Sequence, residues 1–236
     1  MNKTAVITGA TKGLGRAIAE IFAENGFDLC VCSRTEADLD VMQDDWRRRF
    51  PEVRLHTHPT DLGKKPEVLE FATFVKKTWP RLDVLVNNAG LYLPGGVADE
   101  REGSLETLLE INLLSAYHLT RSLLAPLMLP QRKGHIFNMC SIASIIAYPN
   151  GGAYTVSKFA LLGFSRCLRE EMKTKGIKVT AILPGATWSD SWQGVDLPED
   201  RLMQATDIAK AVWGCYNLGD GAVVEELLIR PQLGDL

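Results

Sequence analysis

Seven short apolar runs recur along the chain, each separated from the next by enough residues for a helix and a turn. They are Val6-Ile7, Leu29-Cys30-Val31-Cys32, Val53-Arg54-Leu55, Val84-Leu85-Val86, Ile136-Phe137-Asn138-Met139, Val179-Thr180-Ala181-Ile182 and Leu227-Leu228-Ile229. Runs that are apolar almost throughout, rather than alternating with polar residues, suit strands buried on both faces. The stretches between are amphipathic. Ala153, Val156, Ala160, Leu161, Phe164, Leu168 and Met172, for example, keep helical spacing. That helix has a readable end: Lys173 and Lys175 suit its negative pole, and Gly176 can take a left-handed cap. Regular alternation of strand and helix predicts an α/β chain. Its doubly wound parallel sheet has about seven strands, with right-handed crossovers and helices on both faces. No linker, repeat or low-complexity tract interrupts the pattern, so residues 1–236 read as a single domain. One irregular excursion is expected at about 185–204, rich in Ser, Asp, Gly and Trp.

Composition narrows the partners. The net charge of -3 offers nothing to nucleic acid or an anionic membrane. The run Arg47-Arg48-Arg49 follows Asp44-Asp45 and reads as a solvated helix face. No stretch approaches the roughly 20 apolar residues needed to span a bilayer, and the first residues do not resemble an export signal. The five cysteines, at 30, 32, 140, 167 and 215, contain no CxxC pair. They read as free thiols of a reducing cytoplasm. His56 and His58 share a strand face, but no further ligand accompanies them. They read as exposed strand residues, and no metal is expected. His118 and His135 are isolated.

The first strand runs into Thr8-Gly9-Ala10-Thr11-Lys12-Gly13-Leu14-Gly15, and a helix follows. Glycines at such a junction let the backbone turn tightly and approach a pyrophosphate at the helix N-terminus. This is the signature of a Rossmann-type dinucleotide site, although the spacing is GxxxGxG rather than GxGxxG. The second strand ends at Cys32-Ser33-Arg34, without the acid that would bind an NAD ribose. Asp28 stands at the wrong end of that strand. Arg34 offers a fork suited to a 2′-phosphate, and Lys12 can reach the same group. The cofactor expected is NADP(H), with NAD(H) the weaker alternative.

With these residues in place the sequence resembles the short-chain dehydrogenases/reductases, over essentially the whole chain. Gly9, Gly13 and Gly15 resemble that family's coenzyme loop, with Thr11 and Leu14 between them. Asp61-Leu62 resembles its adenine-contacting Asp, and Asn87-Asn88-Ala89-Gly90 its NNAG motif. Asn112 is similar to the Asn of the family's catalytic tetrad. Ser141, Tyr154 and Lys158 match its Ser…YxxxK core, with thirteen residues from Ser to Tyr. Pro184-Gly185 and Thr187 resemble the turn that meets the nicotinamide carboxamide. The resemblance implies a homodimer or homotetramer, paired through helices at roughly 103–129 and 152–175. The chain is shorter than many members of the family after Pro184-Gly185, where the substrate pocket is shaped.

Tyr154 and Lys158 stand four apart on one helix, so their side chains share a face. A free phenol has a pKa near 10, and a neighbouring ammonium favours the phenolate. A tyrosine so assisted can shuttle a proton. The roles expected in the reducing direction follow. Ser141 polarises the substrate carbonyl, Tyr154 donates the proton, Lys158 assists Tyr154 and, as the family implies, holds the nicotinamide ribose. Asn112 would position a water that relays the replacement proton.

Residues just beyond the strand ends should form the substrate pocket. They are Leu91, Tyr92, Ile142, Ala143, Tyr148, Trp188 and Trp192, a mainly apolar wall in which the two tryptophans can act as a lid. Such a wall suits a ketone, an aldehyde or a 3-oxoacyl chain. Within the family, 3-oxoacyl-carrier-protein reductases and sepiapterin-like pterin side-chain reductases both look similar. A carrier protein would want a basic patch, for which Arg101, Arg121 and Arg132 are available. A non-catalytic NADP-binding regulator is the reading from another class; retention of both Tyr154 and Lys158 argues against it.

Overall fold

A computed structural model describes residues 2–188 and 196–235. Seven parallel strands form one sheet: β1 (Thr4–Thr8), β2 (Asp28–Ser33), β3 (Leu55–Pro59), β4 (Val84–Asn87), β5 (Gly134–Met139), β6 (Ile177–Pro184) and β7 (Glu226–Ile229). Their order is β3-β2-β1-β4-β5-β6-β7. The chain therefore winds outward from β1 in one direction, returns, and winds outward from β4 in the other. The crevice above the β1–β4 junction is where ligands of such sheets bind.

Strand periodicity of two sends successive side chains to opposite faces. Ile7, Val31 and Phe137 pack on one face with Phe22 of α1 (Gly13–Glu24), Trp46 of α2 (Glu36–Arg49) and Val212 of α7 (Ala205–Tyr216). Val6, Leu85 and Ile136 pack on the other, with Phe71 of α3 (Lys65–Thr78), Leu119 of α5 (Ser115–Leu123) and Leu168 of α6 (Gly152–Met172). The short α4 (Ser104–Leu109) reaches α5 through a π-turn at Glu110–Leu114. A second π-turn, Leu124–Met128, ends the segment. The expected single helix at 103–129 is thus one rod broken twice.

Three details differ from the pattern-based reading. The third strand begins at Leu55 rather than Val53. Val53 closes a turn, its N–H donating to the Phe50 carbonyl at 3.0 Å, while the Arg54 N–H donates to Asp28 Oδ1 at 3.0 Å. His56 and His58 are half-buried against aromatic rings, not exposed: His56 meets Trp79, and His58 meets Phe71 and Phe74. Val156, counted on the buried stripe of its helix, is exposed, and so is Phe159. The helix end is as read: Gly176 takes φ +78°, and a Cβ there would stand 2.0 Å from the Arg132 carbonyl oxygen. The arginine run is a solvated face, with Arg47 paired to Asp44, Arg48 to Asp45 and Arg49 to Glu20. All five cysteines are free. Among the described residues no cluster of metal-ligating side chains occurs, and no helix is long and apolar enough to cross a membrane.

Candidate active site

A cleft of about 800 Å³ opens along the carboxyl ends of the strands. At one end it is floored by the glycine turn between β1 and α1. Gly9 and Gly13 take φ +64° and +56°, conformations that a side chain resists. Nothing lies within 4 Å of where a Cβ on Gly13 would stand, so conformation rather than space calls for glycine there. Gly15 is needed for the opposite reason: its Cβ would fall 2.2 Å from the Gly9 carbonyl oxygen and 2.5 Å from Asn88 Nδ2. Asn88 holds the turn in place. Its amide donates to the carbonyls of Thr8 and Gly9 at 2.9 and 3.1 Å. Thr8 answers by accepting from the N–H groups of Asn88 and Ala89 at 3.0 and 2.9 Å. Thr8, which leads into the glycine turn but has no role assigned from sequence, therefore ties the end of β1 to the end of β4.

The same end carries Thr11, Lys12, Leu14, Ser33, Arg34, Asp61 and Leu62 on its walls. The Thr11 hydroxyl donates to Ser33 Oγ at 3.2 Å, tying the glycine turn to the end of β2. Lys12 and Arg34 are both exposed, and no carboxylate lines the cleft beside them at that strand end. Asp61 lies further along, its Oδ1 accepting the Gly63 N–H at 3.0 Å. Positive helix-end potential, bare glycine backbone and two cations suit a dinucleotide that carries an extra phosphate.

At the other end stand Ser141, Tyr154 and Lys158, with Gly90, Pro184, Gly185 and Thr187. Lys158 is buried, and its ammonium donates to the Met139 carbonyl at 2.9 Å. It lies 5.8 Å from the centre of the Tyr154 ring. One N–H of three is spent on Met139, leaving two for groups in the cleft. Tyr92 packs edge-on against Tyr154, centroids 5.0 Å apart. Cys140, next to this ammonium, stays a thiol, because burial pushes its pKa up to about 12.

Ser141 caps the short turn Ile142–Ser144 and faces the cleft at once. Its Oγ accepts the Ala143 N–H at 3.1 Å, and its own N–H donates to Ser144 Oγ at 3.2 Å. Because that oxygen accepts from the backbone, the hydroxyl proton is available to a ligand. Capping and substrate contact are thus compatible roles.

Asn112 lies in the first π-turn, buried behind the cleft wall rather than on it. Its Oδ1 accepts the Leu91 N–H at 2.7 Å, and its Nδ2 donates to the Leu91 carbonyl and to Ser157 Oγ at 3.0 and 2.9 Å. Both amide protons are used, and Oδ1 keeps one lone pair. A Cβ on Gly90 would stand 3.4 Å from Asn112 Oδ1 and 3.4 Å from Lys158 Nζ. The bare Cα of Gly90 therefore leaves a gap shared by those two polar atoms. Below it a buried polar chain locks the helices to the sheet. Asn87 donates to Thr120 Oγ1 and Asn138 Oδ1, and Asn138 donates to Ser165 Oγ.

Of the expected pocket residues, Leu91, Tyr92, Ile142 and Tyr148 line the cleft. Ala143 does not: it is buried behind Ser141, where its N–H serves as the cap donor. Trp188 does not line it either; its N–H pairs with the Met203 carbonyl at 2.9 Å. Trp192 lies outside the described residues. A wall residue that the sequence patterns miss is Asp235, more than 40 positions beyond any other residue considered for the pocket. Burial, then the charge of Asp235, raise the pKa of Tyr148, which therefore stays protonated. Of the arginines available for a basic patch, Arg132 cannot join one at the cleft, since it sits at the opposite, amino edge of the sheet beside Gly134 and Gly176.

The chain is similar to known proteins along nearly its whole length. Residues 3–200 match the family model described as short chain dehydrogenase. The sepiapterin reductase of Chlorobaculum tepidum is 33% identical, with 100% of this chain and 99% of that protein covered. An alcohol dehydrogenase from Thermococcus sibiricus, solved with 5-hydroxy-NADP, superposes with a TM-score of 0.89 at 28% identity, covering 98% of this chain and 97% of that one. The L-sorbose reductase of Gluconobacter frateurii, solved with NADPH and L-sorbose, gives 0.89 at 25% identity, with 98% and 95% covered. The chain is a member of the short-chain dehydrogenase family and an oxidoreductase.

Proposed function

We propose that this protein reduces a ketone, aldehyde or 3-oxoacyl carbonyl to the alcohol, using NADPH, with Tyr154 as proton donor. One observation carries the reading. Tyr154, Ser141 and buried Lys158 border the same cleft as the glycine turn, Lys12 and Arg34. The glycine turn, Asp61, Asn88, Ala89 and the Pro184–Thr187 segment would hold the cofactor. Bound NADPH supplies the hydride. NADP- and NADPH-bound relatives of the same fold support the cofactor choice.

The chain's own residues do the rest. The Ser141 hydroxyl donates a hydrogen bond to the carbonyl oxygen and draws charge onto it. Tyr154 gives its phenolic proton to that oxygen as it becomes an alkoxide. Lys158 stabilises the phenolate left behind through its charge; one of its two remaining N–H groups would hold the nicotinamide ribose, and the other is left for a water. A water held between Asn112 Oδ1 and Lys158 Nζ, in the gap above Gly90, returns the proton. The walls at Leu91, Tyr92, Ile142 and Tyr148 exclude solvent and favour an apolar substrate end.

Among the narrower readings, a pterin side-chain carbonyl is favoured by the 33% identity to a sepiapterin reductase. A carrier-protein thioester is disfavoured by the placement of Arg132. We also propose a homo-oligomer paired through the 103–129 and 152–175 helices, whose Leu114, Tyr117, Val156 and Phe159 are exposed apolar side chains. Free thiols fit a cytoplasmic setting.

The test is a carbonyl panel followed by nicotinamide absorbance, run on the wild type and on Tyr154→Phe. Turnover should fall by at least about 100-fold in the variant, with NADPH affinity retained. A variant that turns over at the wild-type rate refutes Tyr154 as the proton donor.

A further inference from the structure

The turn Gly185–Thr187 borders the nicotinamide end of the cleft, yet it belongs to no helix. Its position is fixed from outside. The Gly185 N–H donates to the Ile229 carbonyl at 2.8 Å, continuing the pairing of β6 with β7. The Thr187 region pairs with Met203: the Met203 N–H donates to the Ala186 carbonyl at 3.2 Å and the Trp188 N–H to the Met203 carbonyl at 2.9 Å. The third attachment comes from the segment after β7. Asp235 Oδ1 accepts the Ala186 N–H at 2.9 Å, and its Oδ2 accepts from Arg230 Nε at 2.7 Å. Arg201 holds the same segment by its backbone, donating to the carbonyls of Gly234 and Asp235 at 2.8 and 3.4 Å.

Gly185 itself is shaped to receive this carboxylate. A Cβ there would stand 2.1 Å from Asp235 Oδ1 and 3.2 Å from Arg230 Cγ. The Asp235 side chain is only 9% exposed although it lines the cleft. A carboxylate moved into that setting needs donors, and the Ala186 N–H and the Arg230 guanidinium supply them.

We propose that Asp235 is a positioning residue: with Arg230 and Arg201 it latches the segment 230–235 onto Gly185–Thr187, fixing the turn that meets the nicotinamide and forming one wall of the substrate site. The idea rests on the carbonyl-reductase reading for its kinetic consequences. Its geometric core, the dependence of Gly185 on Asp235, does not. Near the reacting centre a displacement of about 1 Å can cost 100-fold in rate, so a loosened turn should slow hydride transfer while leaving the adenine end of the cofactor untouched.

The test is a double-mutant cycle on the full chain, Gly185→Ala against Asp235→Ala, read by thermal midpoint, NADPH affinity and turnover. Either single variant loses the latch, so the double variant should resemble Asp235→Ala alone. Additive losses in midpoint overturn the latch, whatever the substrate proves to be. Asp235→Ala should lower kcat on the order of 10-fold, with the NADPH dissociation constant changed by less than about threefold and a larger primary isotope effect from 4-deuterated NADPH. Asp235→Asn keeps an acceptor for Ala186 and should recover most of the rate. Unchanged kcat and isotope effect in folded Asp235→Ala refute the positioning role. If Asp235→Ala does not fold, Arg230→Gln carries the test: it removes the Arg230 contact and keeps the one to Ala186, so it should show a smaller kcat loss with a raised isotope effect, and wild-type kinetics refute the latch. A wild type that binds NADPH but reduces no carbonyl would sink the functional reading, and the midpoint cycle alone would then decide for or against the latch.

Discussion

Replacing both Lys12 and Arg34 by alanine should convert an NADPH-selective site into one that hardly distinguishes NADPH from NADH. Both side chains are exposed on the wall of the cleft near the end of β2, where no carboxylate competes for a ribose hydroxyl. A hydrogen bond to a charged group contributes about 1.5–3 kcal/mol. Solvent exposure puts each contact with a 2′-phosphate near the lower figure, giving about 3 kcal/mol for the pair. That corresponds to roughly 100-fold in dissociation constant. NADH lacks the phosphate and should lose no more than about threefold. The assay is titration of each cofactor by nicotinamide fluorescence at low and high salt. Selectivity in the wild type should shrink as salt rises, because exposed charges are screened over about 10 Å at 0.1 M. In the double variant the salt effect should vanish along with the selectivity. Equal losses for NADPH and NADH would refute the assignment and move the 2′-phosphate site elsewhere.

Three further outcomes follow from single side chains. His135 is buried, its Nε2 bonded to Thr180 Oγ1 at 2.7 Å, and burial lowers its pKa to about 3. Its folded value lies below its unfolded one, so the stability it preserves is complete above about pH 6.5 and drains as pH falls towards 3; at pH 5 the loss is about 2 kcal/mol. Denaturant midpoints at pH 7 and pH 5 should show this loss in the wild type and not in His135→Gln, and equal acid slopes would contradict it. Gly90→Ala fits sterically, since its Cβ would keep 3.4 Å from Asn112 Oδ1 and Lys158 Nζ, but it fills the gap assigned to the relay water. Turnover should drop on the order of 10-fold or more with an unchanged thermal midpoint, and an undiminished rate would remove the water from the mechanism. Phe159→Arg, on the exposed face of α6, should leave a folded protein that sediments as a smaller species. Unaltered sedimentation would place the subunit contact on another face.

How much of this was legible in the sequence depended on range. The glycine turn, Asn87-Asn88-Ala89-Gly90 and the Tyr154–Lys158 step are local patterns; the first two sit at strand ends and the third near the start of α6, where the patterns predict them. β3 slipped by two residues because Val53 is apolar enough to read as strand, whereas the Phe50–Val53 turn is fixed by a hydrogen bond that no periodicity reveals. Val156 looked buried because helical spacing finds a stripe without saying how wide it is. His56 and His58 looked exposed because the rings covering them come from α3 and its end, and only the third dimension brings Phe71, Phe74 and Trp79 over β3.

Asn112 and Asp235 mark the same limit at the site itself. The sequence offers Asn112 as a residue to hold a relay water; the structure shows an amide whose two protons already bind Leu91 and Ser157. Its reach towards the cleft is therefore a single lone pair, and the space for a water exists because Gly90 has no side chain. Gly185 was legible as half of a Pro-Gly turn, with the usual reason for glycine being backbone freedom. Yet it is absent from the residues with positive φ. Its missing Cβ is explained instead by Asp235, 50 positions later in the chain, whose oxygen occupies that space. A glycine kept for room rather than for conformation names a partner. Here the partner is a carboxylate that lines the cleft beside that turn, so the segment after β7 helps to build the cleft wall.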